Sequence, residues 1–171
     1  MNRRKFIIGS GLVGVGLASR GFSAPTNHPF AVVVGTAQDG GYPQAGCKKE
    51  CCRELWGDAT KRRDVASLGV VDPLTNQRWF IECTPSFPRQ VRRLDEAYPK
   101  LTGKLDGILL THAHIGHYAG LIHLGREVMG AKSVPVHAMP RMEKFLRTQG
   151  PWSQLVGLKN IRLSPMRDGR A

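Results

Sequence analysis

Residues 105–117 read LDGILLTHAHIGH and carry the strongest signal in the sequence for both fold and chemistry. The first part of this stretch is short and mostly apolar, which is typical of a buried strand. Three of the six histidines follow at once, at His112, His114 and His117. Because loops at strand ends are where folds place chemistry, we interpret this stretch as a strand that ends in a functional loop.

The spacing of these histidines predicts a metal site. Residues i and i+2 of an extended segment point to the same side, so the imidazoles of His112 and His114 can converge on one ion. His117 can face the same cavity as the chain turns into a helix. Neutral imidazole is a suitable ligand for zinc, iron or nickel. The alternative is an exposed histidine-rich turn that binds nothing, but so close a grouping of an infrequent residue favours the metal site.

Strands and helices are predicted on both sides of this stretch. The predicted strands are 30–35, 65–71, 78–83, 105–111, 134–138 and about 160–163, and the predicted helices are 86–98, about 118–129 and about 140–148. The second and third strands flank the turn-rich segment 72–76 and form a β-hairpin. Strands precede helices repeatedly, which predicts an α/β or α+β fold with a layered sheet.

Composition excludes several classes of protein. The chain has 171 residues, 41% of them hydrophobic, which is typical of about one globular domain and not of a disordered, collagenous or coiled-coil protein. The formal net charge is +12, from 25 Lys and Arg against 13 Asp and Glu. Four of the basic residues lie in the first twenty positions. Two further basic groups are interpreted as a solvated face, with attraction of an anionic substrate as the alternative: Lys61, Arg62, Arg63 and Arg89, Arg92, Arg93. We therefore expect no nucleic-acid partner.

The first 24 residues predict a twin-arginine signal peptide. Arg3 and Arg4 precede residues 6–18, an apolar run interrupted by glycines that is too short to span a bilayer. Each of those glycines disfavours a buried helix by about 1 kcal/mol relative to alanine. We therefore expect cleavage near Ala24, the twin-arginine export machinery as a partner, a periplasmic or secreted location, and no stable membrane span after cleavage.

The histidine segment from Thr111 to His117 resembles the H-x-H-x-D-H signature of the metallo-β-lactamase superfamily. Residues 35–44, GTAQDGGYPQ, with the cysteines that follow and residues 84–87, further resemble the branch that contains pyrroloquinoline quinone biosynthesis protein B. This resemblance covers the chain from about residue 30 and implies an αββα sandwich with metal at the edge of its two sheets. It implies that His112 and His114 serve a first zinc-type ion and His117 a second.

Two departures from that family pattern change what we expect of the second ion and of the extent of the domain. Gly116 stands where the family has an aspartate, so a second ion should be weak or absent, and Gly116→Asp should raise its occupancy. The further histidine and aspartate ligands that the family supplies downstream have no counterpart after His117. We therefore expect residues 25–171 to be the N-terminal part of a metallo-β-lactamase-like domain, inactive as a fragment alone.

A second candidate metal site is the cysteine group Cys47, Cys51 and Cys52. The resemblance favours a structural zinc there, and a disulfide in an oxidising periplasm is the alternative. Cys83 is read as a small buried hydrophobe. The Asp39-Gly40-Gly41 segment either brings backbone close to a ligand or is a plain turn.

These observations predict a metal-dependent hydrolase. A zinc-type ion at the histidines would lower the pKa of a bound water and polarise an ester, phosphoester or lactone of a small-molecule substrate. Two alternatives stay open. One is a cofactor-pathway protein like pyrroloquinoline quinone biosynthesis protein B, and the other is a non-catalytic metal-binding protein.

Overall fold

The computed structural model describes residues 28–169, so the predicted leader and its cleavage site lie outside the described residues. Six strands form one mixed sheet in which spatial order follows chain order. The strands are β1 (Phe30–Gly35), β2 (Ser67–Asp72), β3 (Gln77–Ile81), β4 (Gly107–Leu109), β5 (Val134–Ala138) and β6 (Ile161–Pro165). The predicted α/β class is confirmed.

Helices and short 3₁₀ turns connect these strands. The helices are α1 (Glu50–Arg53), α2 (Phe87–Ala97), α3 (Ile115–Tyr118), α4 (Pro140–Thr148) and α5 (Trp152–Gly157). The 3₁₀ turns are Glu54–Trp56, Ala59–Lys61, Pro99–Leu101 and Ala119–Leu124. Among the described residues, no helix combines the length and the apolar character that crossing a bilayer requires.

The sheet changes character at β3. Strands β1, β2 and β3 pair antiparallel, and the predicted hairpin between β2 and β3 is confirmed, closed by Asp72, whose carboxylate accepts the backbone N–H of Leu74 at 2.9 Å. From β3 to β6 every pairing is parallel. The carboxyl ends of β3, β4 and β5 therefore meet at one edge of the sheet, and this edge carries the histidine segment.

The two faces of the sheet differ in burial. One face is fully buried against the helices, where Phe80 of β3 and Phe87 of α2 meet edge to face with ring centroids 5.2 Å apart. Each such side chain contributes about 1.5–3 kcal/mol to folding through burial. The other face is apolar but only half-buried, with Trp79 and Leu109 on it. An αββα sandwich covers this second face with its second sheet, which fits the N-terminal half of that fold.

The structure corrects the predicted helix 118–129. The α-helix begins earlier, at Ile115, and gives way to the 3₁₀ turn after Tyr118. The N–H of Gly120 donates to the carbonyl of Cys83 at 2.8 Å instead of to a carbonyl one α-helical turn earlier, so an α-helix cannot continue through this residue. The strand predicted over 105–111 is also shorter, since β4 keeps three of its residues.

Candidate metal centre

The residue after β3, Glu82, is the first component of the site. Its φ of 74° lies in the left-handed region, which costs a non-glycine residue about 1–3 kcal/mol and is found mostly at functional positions. This conformation places the carboxylate inward, where Glu82 is 4% exposed. A carboxylate so deeply buried needs partners of opposite charge or hydrogen-bond donors.

The histidine segment packs directly on the chain that follows β3. The N–H of Cys83 donates to the carbonyl of His117 at 2.8 Å. A side chain on Gly120 would place its Cβ only 2.0 Å from the carbonyl oxygen of Thr84, so glycine is required for this close approach. Glu82, at the carboxyl end of β3, and the histidine segment, at the carboxyl end of β4, are thereby brought next to each other.

Glu82, His112 and His117 form a compact group of possible metal ligands. One ligand atom from each residue lies within 4.8 Å of the others. The Oε2 atom of Glu82 and the Nδ1 atom of His117 are 3.6 Å apart, and both are buried without a hydrogen-bond partner among residues 28–169. Two buried polar atoms without hydrogen-bond partners destabilise the folded state unless a ligand binds to them. Two imidazoles and one carboxylate are a donor set that divalent transition metals accept, so the residues fit the metal that the fold family implies.

The other oxygen of Glu82 organises this group. Its Oε1 atom accepts hydrogen bonds from the backbone N–H of Thr111, at 3.1 Å, and from the Thr111 hydroxyl. That hydroxyl oxygen is in turn 2.8 Å from Nδ1 of His112. A carboxylate that fixes the orientation of an imidazole in this way raises metal affinity.

His114 lies at the margin of the group. Its side chain is 74% exposed, and its ring contacts that of His112 with centroids 4.7 Å apart. The segment is not a regular strand, so His112 lies closer to His117, with ring centroids 4.2 Å apart. The structure therefore gathers all three predicted histidines, but the compact ligand set contains Glu82 in place of His114.

Asp39 adds a second acid, which lies in the segment interpreted from the sequence either as backbone close to a ligand or as a plain turn. It lies between β1 and α1, and its Oδ1 atom is 3.0 Å from Nε2 of His117 while its Oδ2 atom is 3.5 Å from Nδ1 of His114. The hydrogen bond with His117 lowers the pKa of Asp39. Both acids that were missed follow strand ends, and this position was the signal that could have identified them.

A cavity of about 490 Å³ opens beside His112. Tyr118, Met142 and Phe145 supply most of its apolar wall, and Arg141 adds one cationic group. An apolar cleft with few polar groups beside reactive side chains is typical of a small-molecule site.

The cysteine group lies apart from this centre, at helix α1. Ligand atoms of Cys47, Cys51 and Cys52 lie within 4.8 Å of one another, and these residues and Cys83, all within the described part of the chain, are free thiols. Hydrogen bonding from Cys52 and from the backbone of Lys49 lowers the pKa of Cys47. Cys83 is fully buried in the core, as predicted, and burial raises its pKa.

Comparison with known families agrees with this geometry. The family model described as the beta-lactamase superfamily domain matches residues 77–170, which include the histidine segment and strands β3 to β6. The chain belongs to the metallo-β-lactamase superfamily. Its sequence is 31% identical over 121 residues to coenzyme PQQ synthesis protein B from Xanthomonas campestris pv. campestris. That alignment covers 67% of this chain and 38% of the relative, so the chain spans well under half the length of this curated relative.

Solved structures of this superfamily show the same fold. The crystal structure of Zn²⁺-bound PqqB from Methylobacterium extorquens matches with a TM-score of 0.65 and 19% identity, over 80% of this chain and 49% of that one. A diphosphatase of the PhnP family matches with a TM-score of 0.58 and 23% identity, over 81% and 50% of the two chains. Coverage of about half of each metallo-β-lactamase-fold neighbour fits the N-terminal half of the sandwich.

Proposed function

We propose that this superfamily member is a metal-dependent hydrolase that holds a zinc-type ion at His112, His117 and Glu82, with His114 beside them. The observation that carries the proposal is the pair of buried, unpartnered atoms, Oε2 of Glu82 and Nδ1 of His117, which face each other across 3.6 Å. An imidazole nitrogen and a carboxylate oxygen whose lone pairs accept no hydrogen bond can coordinate a metal ion. The solved Zn²⁺-bound PqqB, which shares the fold, supports a divalent metal in this family.

The protein groups have distinct roles in this proposal. When bound, the metal supplies Lewis acidity that acidifies a water ligand and polarises the scissile group. Glu82 orients His112 through Thr111, and the N–H of Cys83 fixes the backbone of His117. The apolar cavity wall excludes water from one side of a substrate, and Arg141 gives an anionic ester or phosphoester a partner.

The test uses the full-length protein with its natural metal. Purified protein is assayed for bound metal and for hydrolysis of a phosphodiester, a carboxylic ester and a lactone. All variants carry Cys51→Ser, which removes the cysteine group from the metal count. In this background we expect His112→Ala to lose both metal and turnover, while His28→Ala, an exposed histidine far from the cluster in sequence, keeps both. Metal retention by His112→Ala contradicts the assigned site. Metal without turnover of any substrate favours the non-catalytic metal-binding alternative.

A second candidate is a role like that of coenzyme PQQ synthesis protein B. It is favoured by the similarity to that protein and by the donor set of two histidines and one carboxylate, which also occurs in non-haem iron enzymes. Expression of the full-length gene in a strain that lacks coenzyme PQQ synthesis protein B separates the two. Restored coenzyme production supports this candidate, and zinc content with hydrolysis and no restoration supports the hydrolase.

We also propose that the protein reaches the periplasm in folded form through the twin-arginine route. The paired Arg3 and Arg4 before a short apolar run support this proposal. Replacing both arginines with lysine keeps the charge and should retain the protein in the cytosol, as cell fractionation would show. Unchanged export would point to another route.

A further inference from the structure

The space beside Gly116 is already filled. A Cβ atom at this position would lie 2.6 Å from Cβ and 2.8 Å from Cα of Asp39, closer than real Cβ atoms approach their neighbours. Two of the three nearest obstacles are the backbone of residue 39, which cannot swing away as a flexible side chain could. This crowding argues against the expectation that Gly116→Asp alone raises the occupancy of a second ion.

The carboxylate of Asp39 reaches the histidines that flank Gly116. Its two oxygens lie 3.0 Å from Nε2 of His117 and 3.5 Å from Nδ1 of His114. Two ligand atoms that are each about 2.0–2.2 Å from one metal ion are separated by roughly 3–3.5 Å. Each of these two distances is therefore compatible with a pair of ligands of one ion.

We propose that Asp39 supplies, from the loop between β1 and α1, the carboxylate ligand that residue 116 lacks. This inference rests on the proposed metal centre. Because the two nitrogens of one imidazole point away from each other, and Glu82 faces Nδ1 of His117 while Asp39 faces Nε2, Asp39 and His114 would hold a second, neighbouring ion and not the ion at Glu82. This ligand comes from a segment about 75 residues away in the sequence. Glycine at 116 and aspartate at 39 form a matched pair, because the first leaves the room that the second occupies.

The loop holds Asp39 from both sides. Ala37 forms a bridge with Val65, and Tyr42 forms another with Arg63. Between them the N–H of Gly41 donates to the carbonyl of Gln38 at 2.8 Å and closes the turn that carries Asp39. The backbone that carries Asp39 is therefore held in place by the fold.

An ordinary surface ion pair is the competing explanation. An exposed aspartate beside a histidine contributes little to stability and needs no metal. The two explanations differ in the coordination that they predict. Removal of a ligand changes the Co²⁺ spectrum as well as the Zn²⁺ affinity, whereas removal of a carboxylate that only hydrogen-bonds to His117 lowers the affinity and leaves the coordination of the ion unchanged.

The experiment exchanges the two residues in the full-length protein. The variants are Asp39→Gly, Asp39→Asn, Gly116→Asp and the double exchange Asp39→Gly with Gly116→Asp, and Asp168→Asn is the control for loss of an exposed carboxylate. All carry Cys51→Ser so that the cysteine group does not contribute to the assay. The readouts are Zn²⁺ affinity by chelator competition and the absorption spectrum of the Co²⁺-loaded protein.

We expect Asp39→Gly and Asp39→Asn each to weaken Zn²⁺ binding about 10-fold or more. Gly116→Asp alone should also weaken it, because the new side chain meets Asp39, and the double exchange should recover most of the affinity. Thermal melting of the metal-free proteins shows whether a variant has lost its fold. If Asp39→Gly does not fold, Asp39→Asn still tests the role of the carboxylate.

An unchanged Co²⁺ spectrum in Asp39→Asn would overturn the assignment of Asp39 as a ligand, whether or not the Zn²⁺ affinity falls. Tighter binding in Gly116→Asp alone would overturn it as well, since it would show that the space is free. The proposed metal centre fails separately, when the parent protein and His112→Ala bind Zn²⁺ equally.

Discussion

The histidine and cysteine groups each bring three ligand atoms within 4.8 Å, but they are assembled in opposite ways. The cysteine group comes from six consecutive residues at one short helix. The histidine group joins the ends of β3 and β4, and its contacts, including that with Asp39 beyond β1, link residues 29 and 78 positions apart. The geometry of the cysteine group therefore depends on local sequence, and that of the histidine group depends on the paired sheet. A substitution in one group should leave metal binding at the other unchanged.

Removal of a thiol gives the largest expected effect. We propose a structural zinc at Cys47, Cys51 and Cys52, and Cys51→Ser should abolish its retention, since hydroxyl oxygen is a far weaker ligand than thiolate. Elemental analysis of the full-length protein should show one zinc fewer per chain, with metal at the histidines unchanged. Lys48→Ala is the control from the same segment. Loss of metal from both groups would mean that they are not independent.

Glu82→Gln tests the histidine group, and we expect a somewhat smaller effect on metal binding than that of the thiol substitution. The substitution keeps the shape of the side chain but removes the charge next to His117, so metal affinity at the histidines should fall about 10- to 100-fold. Chelator competition measures the loss, and zinc at the cysteines should be unaffected. Glu96→Gln, an exposed acid paired with Arg92 on α2, should change neither. A parallel fall at both groups would indicate a folding defect instead.

Thiol reactivity distinguishes local from buried cysteines. The lowered pKa of Cys47 leaves more thiolate at pH 7, and the raised pKa of Cys83 together with its burial leaves less. In metal-free protein Cys47 should react with iodoacetamide about 10-fold or more faster than Cys83, and it should keep its reactivity to lower pH. Mass spectrometry of the labelled peptides measures both rates. Equal rates would contradict the described core position of Cys83.

The smallest expected effect concerns the two cavities. Arg141 lines the cavity beside His112, whereas Arg63 lines a cavity of about 640 Å³ beside the cysteines. If substrate binds only at the histidines, Arg141→Ala should raise KM for an anionic substrate several-fold with little change in kcat. Arg63→Ala should leave both constants unchanged. A KM effect from Arg63 would move the substrate site to the cysteine side.

The same contrast explains what could be predicted from the sequence. The β2–β3 hairpin, α2, α4 and the cysteine group depend on residues near one another in the chain, so local patterns identify them. Asp39 and Glu82 were not identified as ligands because their meeting with His117 requires the paired sheet. The helix predicted after His117 failed for a related reason, since the distant carbonyl of Cys83 takes the hydrogen bond of Gly120. Helix α5 has six residues, too few for a periodic pattern to show.

The pair of bridges around Asp39 has a consequence for how a bound ion would leave. Because Ala37 and Tyr42 hydrogen-bond to residues 63–66, the turn cannot swing outward without breaking backbone bonds next to β1 and β2. An ion on Asp39 could therefore leave by rotation of that half-exposed side chain, whereas movement of the turn itself would require opening of that edge of the sheet. Amide hydrogen exchange at Ala37 and Tyr42 would report that opening.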